Sequence, residues 1–169
     1  MEFDPARLRS GEYVVGASSL VLLASLFLLA WYGLKSQFAP TAAELGVSTT
    51  INGWNALTNV RWLVLITALV AGALVFFQAT RRAPAIPVSL SVIVTVLALI
   101  TVIVLIYRVL LDPPGSHALV SLRAGSIVGL LSAISLTYGG YLSMRREGIA
   151  PRDGPQEVEV VELGELSRS

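Results

Sequence analysis

Four apolar runs set the pattern of this 169-residue chain: 14–34, 60–79, 87–111 and 124–144. The first and last carry no charged side chain, the second only Arg61 near its start and the third only Arg108 near its end. A helix rising 1.5 Å per residue needs about 20 apolar residues to cross the hydrocarbon of a bilayer. Inside that hydrocarbon a helix satisfies its own backbone hydrogen bonds, so helices are the expected form. The β-branched series 92–96 has strand-like chemistry, but it sits inside an apolar run too long for a strand, which favours a helix. The pattern therefore predicts an all-α fold. It comprises a four-transmembrane-helix bundle over residues 1–147, a short extracytoplasmic cap, and a flexible acidic cytoplasmic tail over 148–169.

The polar stretches between the runs carry boundary signals. Segment 35–60 is the longest connection. Pro40 followed by Thr41-Ala42-Ala43-Glu44 is a capping start for a turn or two of helix, and Asn52-Gly53 is a turn signal. Trp54, Leu57 and Arg61 then recur at helical spacing, which predicts a short interfacial helix leading into the second run. This segment either rests on the membrane surface or caps an outward cavity. Pro84 and Pro87 separate the second and third runs, and Asp112-Pro113-Pro114-Gly115 stops the third. The tail alternates over 157–163, a pattern suited either to a solvated acidic tail or to strand addition on a partner.

Could the first run be a cleaved signal? Its 21 apolar residues exceed the roughly 7–15 of a signal core, and its flank mixes Glu2 and Asp4 with Arg7 and Arg9. A retained helix is expected.

Composition supports the membrane reading. Hydrophobic residues make up 54% and charged residues 14%, against about 25% charged in soluble domains. The net charge of +1 forms no basic patch for nucleic acid. Cysteine is absent, which removes disulfides, thiolate metal sites and cysteine nucleophiles. His117 is the single histidine, and neither a nucleophile elbow nor a phosphate-binding loop occurs. No cofactor, no metal and no enzyme activity are expected. A single lysine, Lys35, among 12 basic residues points to a GC-rich bacterial genome.

Basic residues near span ends set orientation. Arg7, Arg9, Arg81, Arg82, Arg145, Arg146 and Arg152 fall on one side, and Lys35, Arg61, Arg108 and Arg123 on the other. The bias places both termini in the cytoplasm of a bacterial inner-membrane protein. Trp31, Trp54 and Trp62 fall at the outer span ends, where amphipathic rings anchor at headgroup depth.

Three groups of residues are candidates for function. Arg108 is a charge inside a span, which is a functional-site signal, yet it lies close enough to the end to snorkel and pair with Asp112 four residues on. Arg61 and Arg123 lie at the same outer level, so the three could gather an anionic lipid headgroup. Ser91, Thr95, Ala98 and Thr101 form a small and polar stripe suited to helix packing. Gly125, Gly129 and Ala133 repeat at four-residue steps, as do Ala68 and Gly72. Such faces serve either packing within the chain or an oligomer seam.

Trp31-Tyr32, Trp54-Asn55-Ala56-Leu57, Pro87-Val88-Ser89-Leu90-Ser91, residues 108–115 and residues 138–148 together resemble small uncharacterised four-helix membrane proteins of actinobacteria. The resemblance spans about 10–148 and implies a four-span topology without a known activity. Claudin-like proteins share a long first outer loop but carry paired loop cysteines, which this chain lacks. The expected role is a non-catalytic accessory or scaffolding subunit, whose partners are membrane lipid and another membrane protein or a second copy. The alternative is binding or transfer of an anionic lipid or amphiphile at the outer leaflet. A channel or transporter is least favoured, since no acidic residue or histidine lies at mid-span.

Overall fold

The computed structural model describes residues 10–80, 87–115 and 119–146. The acidic tail, the double arginine at 81–82, Arg7, Arg9, Arg152 and His117 lie outside the described residues. The elements are α1 (Ser10–Leu28), β1 (Ala30–Leu34), α2 (Ala39–Glu44), β2 (Thr50–Asn52), α3 (Gly53–Ala56), α4 (Val60–Thr80), α5 (Pro87–Ile106), a π-helical turn (Tyr107–Leu111), β3 (Val120–Leu122) and α6 (Ala124–Arg146).

Helix dominates, and four helices are long and apolar enough to cross a membrane: α1, α4, α5 with its π turn, and α6. Helix α1 packs on α4 and α6, and α5 closes the ring against the same two. Their inward faces follow helical spacing. Val64, Thr67, Ala68, Ala71 and Leu74 are buried on α4, and Ser91, Val94, Ala98, Thr101 and Leu105 on α5. The outward faces stay apolar, with Leu69, Phe76, Ile93, Val96, Ile103 and Leu131 all exposed.

Several hydroxyl side chains in the ring are satisfied locally. Ser25 Oγ donates to the Leu22 carbonyl and Ser132 Oγ to that of Val128. Across the α4–α5 seam the Thr67 and Thr101 hydroxyls lie 2.7 Å apart, so that one donates to the other and the acceptor donates to its own helix, at the Leu63 or the Leu97 carbonyl. These bonds leave no hydroxyl of the seam unsatisfied, as an apolar interior requires. Ser91, Ala98 and Thr101 of the predicted stripe face inward, and Gly140 of α6 leaves room for Thr95.

The prediction of an all-α chain is corrected at one end of the ring. Helix α1 stops at Leu28, and residues 30–34 form the central strand of a three-stranded antiparallel sheet in the order β2-β1-β3. The apolar run continues unbroken through this change of structure, which hid it from the hydrophobic pattern. Tyr32 pairs with Ile51 on one side and Leu122 on the other. The register shifts between Ala30 and Tyr32, so Trp31 is the extra residue of a β-bulge. Strand side chains normally alternate between faces. The bulge breaks that alternation and lets Trp31 and Tyr32 both be buried, at 0% and 1% exposure.

Trp31 is therefore a core residue of the cap and not an interface anchor. Its indole Nε1 donates to the Ser25 carbonyl at 2.8 Å. That carbonyl belongs to the last turn of α1, where no helical N–H remains to meet it. Asn52 Nδ2 reaches the Phe27 carbonyl of the same turn at 3.2 Å. Asn52 also caps α3, its Oδ1 accepting from Asn55 N at 3.1 Å. Asn52-Gly53 is thus a helix start and not a tight turn. Gly53 is required there because a side chain would collide with the Trp31 ring, its Cβ falling 2.7 Å from Nε1. Helix α2 begins at Ala39 with Pro40 in its first turn, two residues ahead of the predicted Thr41 cap. Gly46 at φ +70° ends it, with Val47 N bonding the Ala42 carbonyl.

Candidate functional site

Two irregular turns face each other at the sheet end of the ring. The first joins α3 to α4 and is closed by Val60 N on the Leu57 carbonyl at 2.8 Å. Leu57 is fully buried and Val60 packs on the core, so two anchored apolar residues bracket the exposed pair Thr58 and Asn59. The geometry puts Thr58 at φ +39°. A β-branched residue is rarely found there, at a cost of about 1–3 kcal/mol.

The second is the π turn that ends α5, where Asp112 N bonds the Tyr107 carbonyl five residues back at 3.0 Å. In this pattern the next acceptor, the Arg108 carbonyl, would need the N–H of residue 113, which is proline and has none. The Tyr32 hydroxyl meets that carbonyl instead, at 3.3 Å. Burial raises the Tyr32 phenol above its ordinary value, the Arg108 charge lowers it and the Asp112 charge raises it. Tyr32 therefore stays a neutral hydroxyl donor at physiological pH. The bulged strand thus holds the π turn through Tyr32, just as it closes α1 through Trp31.

Between the turns lies a cleft of about 340 Å³, within the roughly 300–1,000 Å³ of small-molecule sites. Leu57, Val60 and Val104 give it apolar walls, and Thr58, Asn59, Tyr107, Arg108 and Asp112 give it a polar rim. Arg108 Nη1 forms an ion pair with Asp112 and also donates to the Asp112 carbonyl oxygen at 2.8 Å. The two side chains are 20% and 56% exposed, so the pair lies open to a ligand. A smaller cavity of about 140 Å³ lies over the sheet, lined by Tyr32, Thr49, Thr50, Pro114 and Val120 among others.

The three predicted arginines have separate partners. Arg61 stacks its guanidinium 4.9 Å from the Trp54 ring and 5.7 Å from Trp62. Arg61 Nε is buried with no hydrogen-bond partner among the described residues, and the two rings take its charge through their faces. Arg123 Nη2 donates to the Leu34 carbonyl at 3.4 Å and its side chain lies against Gly33. Of the three, Arg108 lines the cleft. Trp54 stacks on Phe27 with ring centroids 5.1 Å apart and meets Trp62 edge-on at 5.3 Å. Trp62 is 52% exposed.

The small-residue face of α6 is closed from within the chain. A Cβ on Gly125 would fall 2.5 Å from the Ala30 carbonyl oxygen and 2.7 Å from Trp31 Cδ1. One on Gly129 would overlap the Trp31 ring at Cζ2. Ala133 and Ala68 are buried, whereas a Cβ on Gly72 would meet open space. The oligomer-seam alternative for Gly125 and Gly129 is therefore corrected: these positions hold the cap's indole.

Sequence reasoning missed four features. Thr58 carries no glycine or proline signal, Tyr32 reads as an interface aromatic, and a π turn has no residue signature of its own. Glu12, placed before the first predicted span, lies in the first turn of α1 and is buried at 6% exposure. An acidic side chain there suits the positive end of the helix dipole. Among the described residues no cluster of His, Asp or Glu is placed to hold a metal ion. In comparisons with known proteins, no family model, no curated protein and no solved structure matches this chain.

Proposed function

We propose that this chain is a four-span integral protein of a bacterial cytoplasmic membrane that binds an amphiphile headgroup at its capped end and performs no catalysis. Two kinds of observation support the setting. The outward faces of α4, α5 and α6 carry exposed leucine, isoleucine and phenylalanine, which in water would be an aggregation surface and in lipid are solvated. The basic residues favour cytoplasmic termini, which puts the sheet and the cleft on the outer side.

The observation that carries the binding reading is the cleft itself. It sits where α4 begins and α5 ends, the level at which chain-like apolar walls give way to polar groups. Arg108 is the one cation among the described residues that line it, and Leu57, Val60 and Val104 offer a wall to an acyl chain. A scaffolding role drew its main support from the glycine face of α6. That face is filled by Trp31, so lipid binding is the stronger reading.

Native mass spectrometry of the protein released from mild detergent tests it. Wild-type protein should retain lipid adducts, and Arg108→Ala should lose them while eluting as the same monodisperse species. Equal adducts in both proteins would refute a headgroup site at Arg108.

A further inference from the structure

We infer that the headgroup taken by the cleft is a zwitterion, a phosphate joined to a primary ammonium, and not a plain anion. This rests on the reading of the cleft as a lipid site and specifies its ligand.

The argument is electrostatic. Arg108 would attract any phosphate if it stood alone. It does not: Asp112 holds its Nη1, and the carboxylate is the more exposed member of the pair. A headgroup carrying only negative charge would gain the guanidinium and meet the carboxylate at about the same distance, so the two terms nearly cancel. A headgroup that carries both charges a few bonds apart gains twice. Its phosphate meets the guanidinium, whose five N–H donors exceed what one carboxylate can occupy. Its ammonium donates to Asp112. The pair is fixed for this by local structure. The π turn sets the separation of residues 108 and 112, and Asp112 is held by its own N–H on the Tyr107 carbonyl.

The apolar side of the cleft decides between a lipid and a soluble phosphoester. Leu57, Val60 and Val104 line it where the helices meet the cap, and Val104 lies on α5, whose outward face is apolar at Ile100, Ile103 and Ile106. That wall is continuous with a lipid-facing surface, so the occupant is a lipid with its chain along α5.

The test is competitive binding in nanodiscs with phosphatidylethanolamine, phosphatidylglycerol and phosphatidylcholine, read by native mass spectrometry of the released protein. Wild type should retain phosphatidylethanolamine about tenfold over phosphatidylglycerol, which is about 1.4 kcal/mol. Phosphatidylcholine, whose quaternary ammonium has no N–H to donate, should fall with phosphatidylglycerol. Asp112→Asn, nearly isosteric, should keep lipid but lose the preference. Glycerophosphoethanolamine added at equal concentration should not displace the lipid. Retention of phosphatidylglycerol at or above phosphatidylethanolamine in wild type overturns the zwitterion assignment while leaving a lipid site in place. An unchanged preference in Asp112→Asn overturns it as well. Displacement by the soluble headgroup overturns the lipid as source. Wild type that retains no lipid of any kind overturns the underlying reading, and this one with it.

Discussion

The cap hangs on one indole, and a double-mutant cycle between Trp31 and Gly129 measures how tightly. Trp31→Leu removes the distal ring and the Nε1 bond to the Ser25 carbonyl. Truncating a buried Trp to Ala costs about 3–5 kcal/mol. Leucine keeps part of the volume, and the lost hydrogen bond adds about 1 kcal/mol, so about 3–4 kcal/mol is expected. Gly129→Ala places a Cβ 2.7 Å from Trp31 Cη2 and 3.1 Å from Ser25 Oγ, with Cζ2 closer still. Overpacking of this kind costs about 1–3 kcal/mol, against which alanine regains about 1 kcal/mol of helix propensity over glycine. The single variant should lose up to about 2 kcal/mol. In the double variant the ring atoms that block the Cβ are gone. The overlap with the ring vanishes, only the milder approach to Ser25 Oγ remains and the propensity gain stays, so the double variant should be no less stable than Trp31→Leu alone. The sum of the singles should exceed the double by about 2 kcal/mol, within the usual range for contacting residues. Equilibrium unfolding in mixed micelles, followed by far-ultraviolet circular dichroism, reads all four corners. Additivity within about 0.5 kcal/mol would show that the two positions do not touch and would refute the packing argument.

Two further predictions follow from the same end of the molecule. Thr58→Gly removes the strain of φ +39° and should raise stability by about 0.5–1 kcal/mol, after the entropy that glycine adds to the unfolded chain; a loss above about 1 kcal/mol would show that the turn is not strained there. Because the chain has no cysteine, single substitutions report sidedness without background. Glu44→Cys in the cap should react with a membrane-impermeant maleimide on intact cells, and Arg145→Cys only after permeabilisation. The reverse pattern would turn the proposed topology over.

What the sequence made legible was local in kind. Four apolar runs mark the four long helices because hydrophobic length needs no knowledge of neighbours. The Arg108–Asp112 pair was visible because residues four apart share a helix face. The glycine steps of α6 read correctly as close packing, but not what packs there, since Trp31 belongs to an element about a hundred residues earlier in the chain. The sheet was hidden for the same reason. Its strands are three to five residues long and pair residues 30–34 with 50–52 and 120–122, so no local window holds the pattern. Leu29 to Leu34 offered no polar residue to announce that the helix had ended.

The cap and the cleft are one mechanical unit because carbonyls at the ends of α1 and of the π turn are met by side chains of neighbouring elements. Two carbonyls in the last turn of helix α1, those of Ser25 and Phe27, are met by Trp31 and Asn52. Placing Trp31 there requires the bulge, and the bulge turns Tyr32 inward as well. Pro113 deprives the π turn of a donor, and Tyr32 is the group that replaces it, on the very residue whose side chain borders the cleft. Asn52 both closes α1 and starts α3, whose following turn forms the opposite wall. Neither wall of the cleft is therefore set by its own helix alone. The position of Arg108 relative to Thr58 depends on β1, which reaches Arg108 through the Tyr32 hydroxyl, so a change at Trp31 should loosen the proposed lipid binding without altering any residue of the site.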